Sequence, residues 1–148
     1  MIDKSERTLK LYAKDTLYKT YRIGLGLKPI GTKEKQGDYK TPEGTYCICR
    51  KNPNSNFYKS LGLSYPNKQD AERGLRAGLI TRRERDRIIR AIDRGECPPW
   101  NTRLGGEIFI HGNGSQTDWT WGCVALEDPQ MKELYDLLPV GTRVIIQP

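Results

Sequence analysis

The sequence predicts a mainly β domain, interrupted once by a pair of helices and closed by a C-terminal helix and strand. Three observations carry that expectation. Short segments rich in Thr, Tyr, Val and Ile recur between tight turns, a capping signature with an apolar stripe interrupts them near residues 70–95, and a second stripe follows Asp128-Pro129.

Taken in order, Thr8 to Ala13 and Leu17 to Gly26 flank a Lys14-Asp15 turn and read as a hairpin. Gly31 to Gly44, rich in Gly, Lys and Asp and carrying Thr41-Pro42-Glu43-Gly44, reads as a loop feeding a Thr45–Arg50 strand. Asn52 to Asn67, with Pro53 and Pro66, reads as irregular. Asp70 is expected to cap a short helix that ends near Gly78. Thr81-Arg82-Arg83-Glu84 has the form of a capping box, in which the Thr hydroxyl serves an orphan N–H and the Glu reaches back. The helix it opens aligns Ile88, Ile89 and Ile92, which are expected to pack on the sheet, and stops at Gly95. Glu107 to Gly112 reads as a strand. Asp128 reads as an N-cap with Pro129 at the first helical position, followed by a core-facing stripe of Met131, Leu134, Tyr135 and Leu138. Val144-Ile145-Ile146 closes the chain as a strand.

The chain has 148 residues, which suits one domain (1–148) with a helical insertion at about 70–95. Its longest stretch without a formal charge, Ile108 to Thr117, is far short of the roughly 20 apolar residues of a membrane span. The opening residues lack the apolar core of a signal peptide. The net charge of +7 is uneven: residues 1–70 carry 14 basic and 7 acidic groups, whereas residues 107–148 carry 2 and 6. A basic body attracts nucleic acid, anionic lipid or an anionic cell-wall polymer, and charge alone does not choose among them. Residues 72–94 hold 8 Arg, but Glu84, Asp86 and Asp93 interleave with them, which favours a solvated lid over a DNA-binding helix pair.

Four cysteines are too few for a disulfide scaffold, and their spacing lacks the C-x-x-C pairs of a zinc site. No metal or organic cofactor is implied. Cys47 and Cys49 lie two apart on the Thr45–Arg50 strand, on one face, where neighbours do not readily bridge; core packing is expected for both, and Cys97 also reads as structural. Cys123 differs. The single histidine, His111, ends the strand Ile108-Phe109-Ile110-His111-Gly112, and Cys123 follows twelve residues after it in Thr120-Trp121-Gly122-Cys123-Val124. A free thiol of pKa about 8.5 is mostly protonated at neutral pH, so a nucleophilic cysteine needs a base such as imidazole to take its proton and return it to a leaving amine. Gly122 removes a side chain just before the sulfur, so its amide and that of Cys123 are candidates to face an oxyanion. One Cys and one His are by themselves a weak motif.

The flanking blocks strengthen it. Gly37-Asp38-Tyr39-Lys40-Thr41-Pro42-Glu43-Gly44-Thr45-Tyr46, Ser60-Leu61-Gly62-Leu63-Ser64-Tyr65-Pro66-Asn67, Leu104-Gly105-Gly106 before the Ile-His-Gly strand, and Gly122-Cys123 run in an order that resembles the L,D-transpeptidase (YkuD-type) catalytic domain. The resemblance covers about Leu9 to Ile146. It implies a YkuD-like β-sandwich and a Cys–His site acting on peptidoglycan stem peptides in cell-wall biogenesis, with sensitivity to carbapenems. The cysteine of such a site attacks the position-3 diamino acid carbonyl of a tetrapeptide stem and expels D-Ala. An amine of a second stem then makes a 3→3 cross-link, or water resolves the acyl-enzyme.

Carried over residue by residue, the resemblance makes Cys123 the nucleophile, His111 the base and acid, and Gly112 the residue whose carbonyl orients the imidazole. The backbone amides of Trp121, Gly122 and Cys123 become the oxyanion hole, and Thr120 and Trp121 meet substrate. Two departures stand out. Trp121 replaces a family histidine, and Ala125 stands where most relatives carry Arg or Asn. The alternatives are a peptidoglycan hydrolase with the same Cys–His site and a non-catalytic wall- or polyanion-binding module. The resemblance places the protein in the cell envelope, with an export signal outside this sequence, and implies no nucleic-acid partner and a monomer.

Overall fold

Alternation of inward apolar and outward polar side chains, the period-2 signature of half-buried strands, builds a single eight-stranded sheet. The computed structural model describes residues 1–148. Its strands are β1 (Ile2–Asp3), β2 (Thr8–Ala13), β3 (Thr16–Arg22), β4 (Gly44–Ser55), β5 (Tyr58–Leu63), β6 (Phe109–His111), β7 (Val124–Ala125) and β8 (Arg143–Gln147), in spatial order β3-β2-β1-β8-β4-β5-β6-β7. The helices are α1 (Lys68–Arg76), α2 (Arg82–Asp93) and α3 (Asp128–Leu137). No helix is long and apolar enough to cross a membrane.

The expected sandwich takes the form of one sheet curled on itself. β4 is long enough to serve both halves: Gly44–Cys47 pair with β8, and the stretch from Ile48 onward pairs with β5. The curl is drawn together where the chain beyond β3 meets the opposite edge, through bridges Gly24↔Ala125 and Gly26↔Thr120. The main core takes side chains from all eight strands, among them Ile2, Tyr46, Leu61, Ile110 and Val124, together with Met131 and Leu134 of α3.

Several expectations are corrected. Asn52 to Asn67 is not irregular: most of it belongs to the β4–β5 hairpin. Its turn-forming residues cluster at the tip, where the register shifts between Asn52 and Ser55, and a proline that cannot donate to a ladder is tolerated at such a shift. The N-cap of α1 is Asn67, and Asp70 is the reciprocal N3 partner, buried and accepting from the Tyr46 hydroxyl at 2.8 Å. The Thr81/Glu84 capping box forms. α3 is capped at Glu127, so Asp128 is already helical. Ile88 does not pack on the sheet: with Ala71, Ile80 and Leu104 it forms a second small core, to which Ile92 adds. Gly74 admits Leu104 there, since a Cβ would come within 2.6 Å of its side chain.

The cysteine expectations also change. Cys47 is exposed rather than packed in the core, and Cys49 is joined to Cys97, 48 residues away, with a Cα–Cα separation of 5.2 Å. Cys49 lies at the register shift between Ile48 and Arg50 and keeps to the face opposite the buried Tyr46 and Ile48, where it meets Cys97 of the segment after α2. A cross-link of this span restricts the unfolded chain. Replacing both Cys49 and Cys97 with Ser is expected to cost about 2–4 kcal/mol in urea unfolding, whereas Cys47→Ser leaves the midpoint unchanged.

Candidate active site

Two strand ends make the site. β6 and β7 run parallel with Ile110 opposite Val124 and His111 opposite Ala125. Ile110 and Val124 point into the core, so Phe109 and His111 point to the other face, as do Ala125 and Cys123 just before β7. Cys123 continues the register opposite Phe109, whose amide donates to its Sγ at 3.4 Å. His111 and Cys123 are therefore diagonal neighbours on one face, a relation that spans about 7–8 Å between backbones and suits long side chains.

The thiol donates to the Glu107 carbonyl at 3.5 Å. Burial pushes the thiol pKa up to about 11, against the opposing pull of the Phe109 amide and of Lys33. His111 is only 1% exposed, and burial holds its pKa below the ordinary imidazole value, opposed by the bond to Gly112. Its Nδ1 lies 2.8 Å from the Gly112 carbonyl, which only accepts, so Nδ1 carries the proton and Nε2 the free lone pair. Phe57, from the tip of the β4–β5 hairpin, stacks on the imidazole at 4.6 Å. Trp119 meets it edge-on at 5.5 Å and donates its indole N–H to the Gly114 carbonyl at 2.9 Å.

The turn before the sulfur is fixed by Thr120. Its hydroxyl donates to the Cys123 carbonyl at 2.7 Å and accepts from the Gly122 amide at 3.1 Å. Thr120 is 4% exposed, so it holds the turn and is not positioned to meet substrate as expected. The Gly122 amide is likewise already bonded, which corrects its place among free oxyanion donors; the amides of Trp121 and Cys123 make no hydrogen bond within the chain. Gly122 has φ +138°, and a Cβ there would come within 2.8 Å of the Lys40 carbonyl, so this position admits only glycine without displacement. Trp121 is 78% exposed at the rim and meets Tyr39 edge-on at 6.4 Å.

The sulfur opens into a cleft of about 650 Å³ whose walls include Tyr39, Arg50, Phe57, Trp100, Phe109 and Trp121. No residue of α1 or α2 lines it, so the helical pair is not a lid over this cleft. Sequence reasoning missed Phe57, Trp119, Arg50 and Trp100. Phe57 was hidden inside a stretch read as irregular, while Trp119, two residues before Trp121, was open to notice as part of an aromatic pair.

The class that these features define is a β-rich curled sheet with a cysteine and a histidine on one face of neighbouring strands. A family model described as the L,D-transpeptidase catalytic domain (YkuD) matches residues 1–146, and the chain belongs to that family. Over 79 residues it is 39% identical to YafK of Escherichia coli K12, provisionally an L,D-transpeptidase; the match takes in 49% of this chain and 32% of YafK, so about a third of that relative is represented. Among solved structures, the helical cell shape determining protein Pgp2 of Campylobacter jejuni (K307A mutant) superposes with a TM-score of 0.68 at 23% identity, covering 99% of this chain and 45% of Pgp2. The LD transpeptidase LdtMt1, solved in complex with imipenem, superposes with a TM-score of 0.56 at 12% identity, covering 98% of this chain and 56% of its own. These two likenesses show the fold.

Two outcomes check the site. In a Cys47→Ser background, alkylation of Cys123 by iodoacetamide should climb about tenfold per pH unit past the ordinary thiol pKa of about 8.5, without levelling until near pH 11. Thr120→Val removes both hydroxyl bonds of the turn, and urea unfolding should show a loss of about 1–3 kcal/mol.

Proposed function

We propose that the protein is a peptidoglycan L,D-transpeptidase working through a Cys123 thioester. The observation that carries this reading is the shared face of Cys123 and His111, with the imidazole tautomer set by Gly112 so that Nε2 is the base. Thiol and imidazole are both neutral at rest, so the proton moves when substrate arrives: Sγ bonds to the position-3 carbonyl carbon as Nε2 takes the thiol proton. The oxyanion is met by the amides of Trp121 and Cys123. The C–N bond to D-Ala then breaks, and His111 returns the proton to the departing amine. In the second half an acceptor amine attacks the thioester, gives its proton through His111 to the sulfur, and the 3→3 amide is released.

The Cys49–Cys97 disulfide supports an oxidising, extracytoplasmic location in the cell envelope. A second reading, hydrolysis of the same acyl-enzyme by water, is favoured by one observation: Ala125, opposite His111, is fully buried and offers no polar group to hold an acceptor.

Incubation with imipenem should add one drug mass to the protein and none to Cys123→Ala, read by intact-mass spectrometry. An unmodified wild type whose Cys123 still alkylates would remove the acylation reading. Purified tetrapeptide muropeptides release D-Ala on either fate and then divide the two, giving 3→3 dimers for transfer and tripeptide stems for hydrolysis.

A further inference from the structure

The strand registers align a row of residues across the sheet. Arg50 of β4 pairs with Gly62 of β5, Gly62 pairs with Phe109 of β6, and Phe109 lies opposite Cys123. Residues directly opposite one another share a face, so Arg50 and Cys123 look out on the same side. Gly62 leaves a gap in this row: a Cβ there would sit 3.3 Å from Arg50 Cβ and 3.4 Å from the Phe109 ring. Trp100 stands over the row, edge-on to Phe109 at 5.5 Å, and the Arg50 guanidinium lies 4.9 Å from the indole centroid.

Three charged groups line the cleft: Lys33, Arg50 and Glu107. Lys33 is buried and committed, donating to Asp38 and to the Lys35 carbonyl, each at 2.9 Å. Arg50 is exposed and makes no ion pair or side-chain hydrogen bond within the chain. A guanidinium held over an indole by cation–π attraction, with its N–H groups unbonded within the chain, is suited to a planar carboxylate. Three strand spacings put Arg50 about 14 Å from Cys123 along the sheet. That is too far to touch the scissile carbonyl, and it is close to the length of about four extended residues.

We propose that Arg50, propped on Trp100, is the residue by which the cleft recognises a carboxylate of its peptide substrate, and so determines specificity at a distance from the reacting bond. The inference rests on the stem-peptide reading above. Two kinds of carboxylate on a stem fit this chemistry: internal ones, borne on residues upstream of the scissile bond or on the position-3 side chain, and the terminal one on D-Ala. The spacing favours the internal kind, because the terminal carboxylate lies only three bonds from the carbonyl under attack.

The test is calorimetric binding of synthetic tetrapeptide stems to the Cys123→Ala protein, with and without a further change at Arg50. Three stems are compared: free acid, amidated at the internal carboxylates, and amidated at the C-terminus. Arg50→Gln should weaken the free-acid stem about 5- to 20-fold, in the range of a solvent-accessible charged hydrogen bond, and leave the internally amidated stem unchanged. Arg50→Lys should restore part of the loss, and circular dichroism and the thermal midpoint should match the parent throughout. If C-terminal amidation alone abolishes the Arg50 dependence, carboxylate recognition stands and its source is the terminus. Equal binding of all stems by parent and Arg50→Gln, or no binding of any stem, overturns the proposal. D-Ala release by the wild type tests the activity separately: binding without release would remove the transpeptidase reading and keep Arg50, whereas release that is indifferent to Arg50→Gln would do the reverse.

Discussion

The parallel pairing of β6 with β7 is the constraint on which the site depends. A parallel pair cannot be joined by a tight turn; the chain must cross over, which takes about a dozen residues. Here it takes the twelve from Gly112 to Cys123, so a short His-to-Cys connection is near the least the pairing allows. Such a connection has no slack and must be held along its path. Gly114 donates to Leu126, and Asn113 and Ser115 donate to Asp128 and Glu127 at the start of α3. Asp118 accepts from Leu25 and is paired with Arg7, and Thr120 bridges to Gly26. The contacts that draw the curled sheet together are thus the same ones that deliver the sulfur to the face of His111.

That delivery sets the electrostatics. Both side chains are sheltered, the Cys123 thiol beneath Glu107 and Phe109, the His111 imidazole beneath Phe57 and Trp119. Low polarity penalises whichever form is charged, so the thiol rises, the imidazole falls, and a resting thiolate–imidazolium pair is disfavoured. On the proposed reading, Cys123 has little standing reactivity toward solvent and would be armed only when a carbonyl and the Trp121 and Cys123 amides share the developing charge.

How much of this was legible in the sequence follows from range. His111 and Cys123 stood out because each is rare in its context and local signals placed both: a strand end for one, a Gly-preceded turn for the other. The Thr81/Glu84 box was readable for the same reason, since its two hydrogen bonds close within three residues. What escaped depends on partners far along the chain. The Asn- and Pro-rich run at residues 52–56 carries every local mark of a loop, and only pairing with β5 makes most of it strand. Alternation placed Cys47 and Cys49 on one face, but that face is the one turned away from the buried Tyr46 and Ile48, and there Cys49 meets Cys97, a partner 48 residues along the chain. Thr120 looked available to substrate because its hydroxyl bonds lie within a turn whose geometry no spacing rule describes.

The helical insertion then acquires a physical role other than covering the cleft. Leu104 belongs to the small core of α1 and α2, and its carbonyl accepts from the buried Tyr65 hydroxyl at 2.7 Å. A few residues away the same loop is tied to β4 by the Cys49–Cys97 bond, and between these anchors Trp100 closes on Gly106, where a Cβ would lie within 2.4 Å of the Trp100 side chain. A loop fixed at one point only would pivot about it, and the half-buried indole would lose its register with Phe109. Fixed at two points, it presents Trp100 as a standing wall, so the order of the cleft on the side away from the sulfur is set by a helix pair and a disulfide that never touch the reacting atoms. On this view six of the eight arginines of residues 72–94 are exposed because the apolar side of the pair is turned to Leu104, while Arg73 reaches Asp70 and the Lys33 carbonyl and Arg85 reaches Glu72.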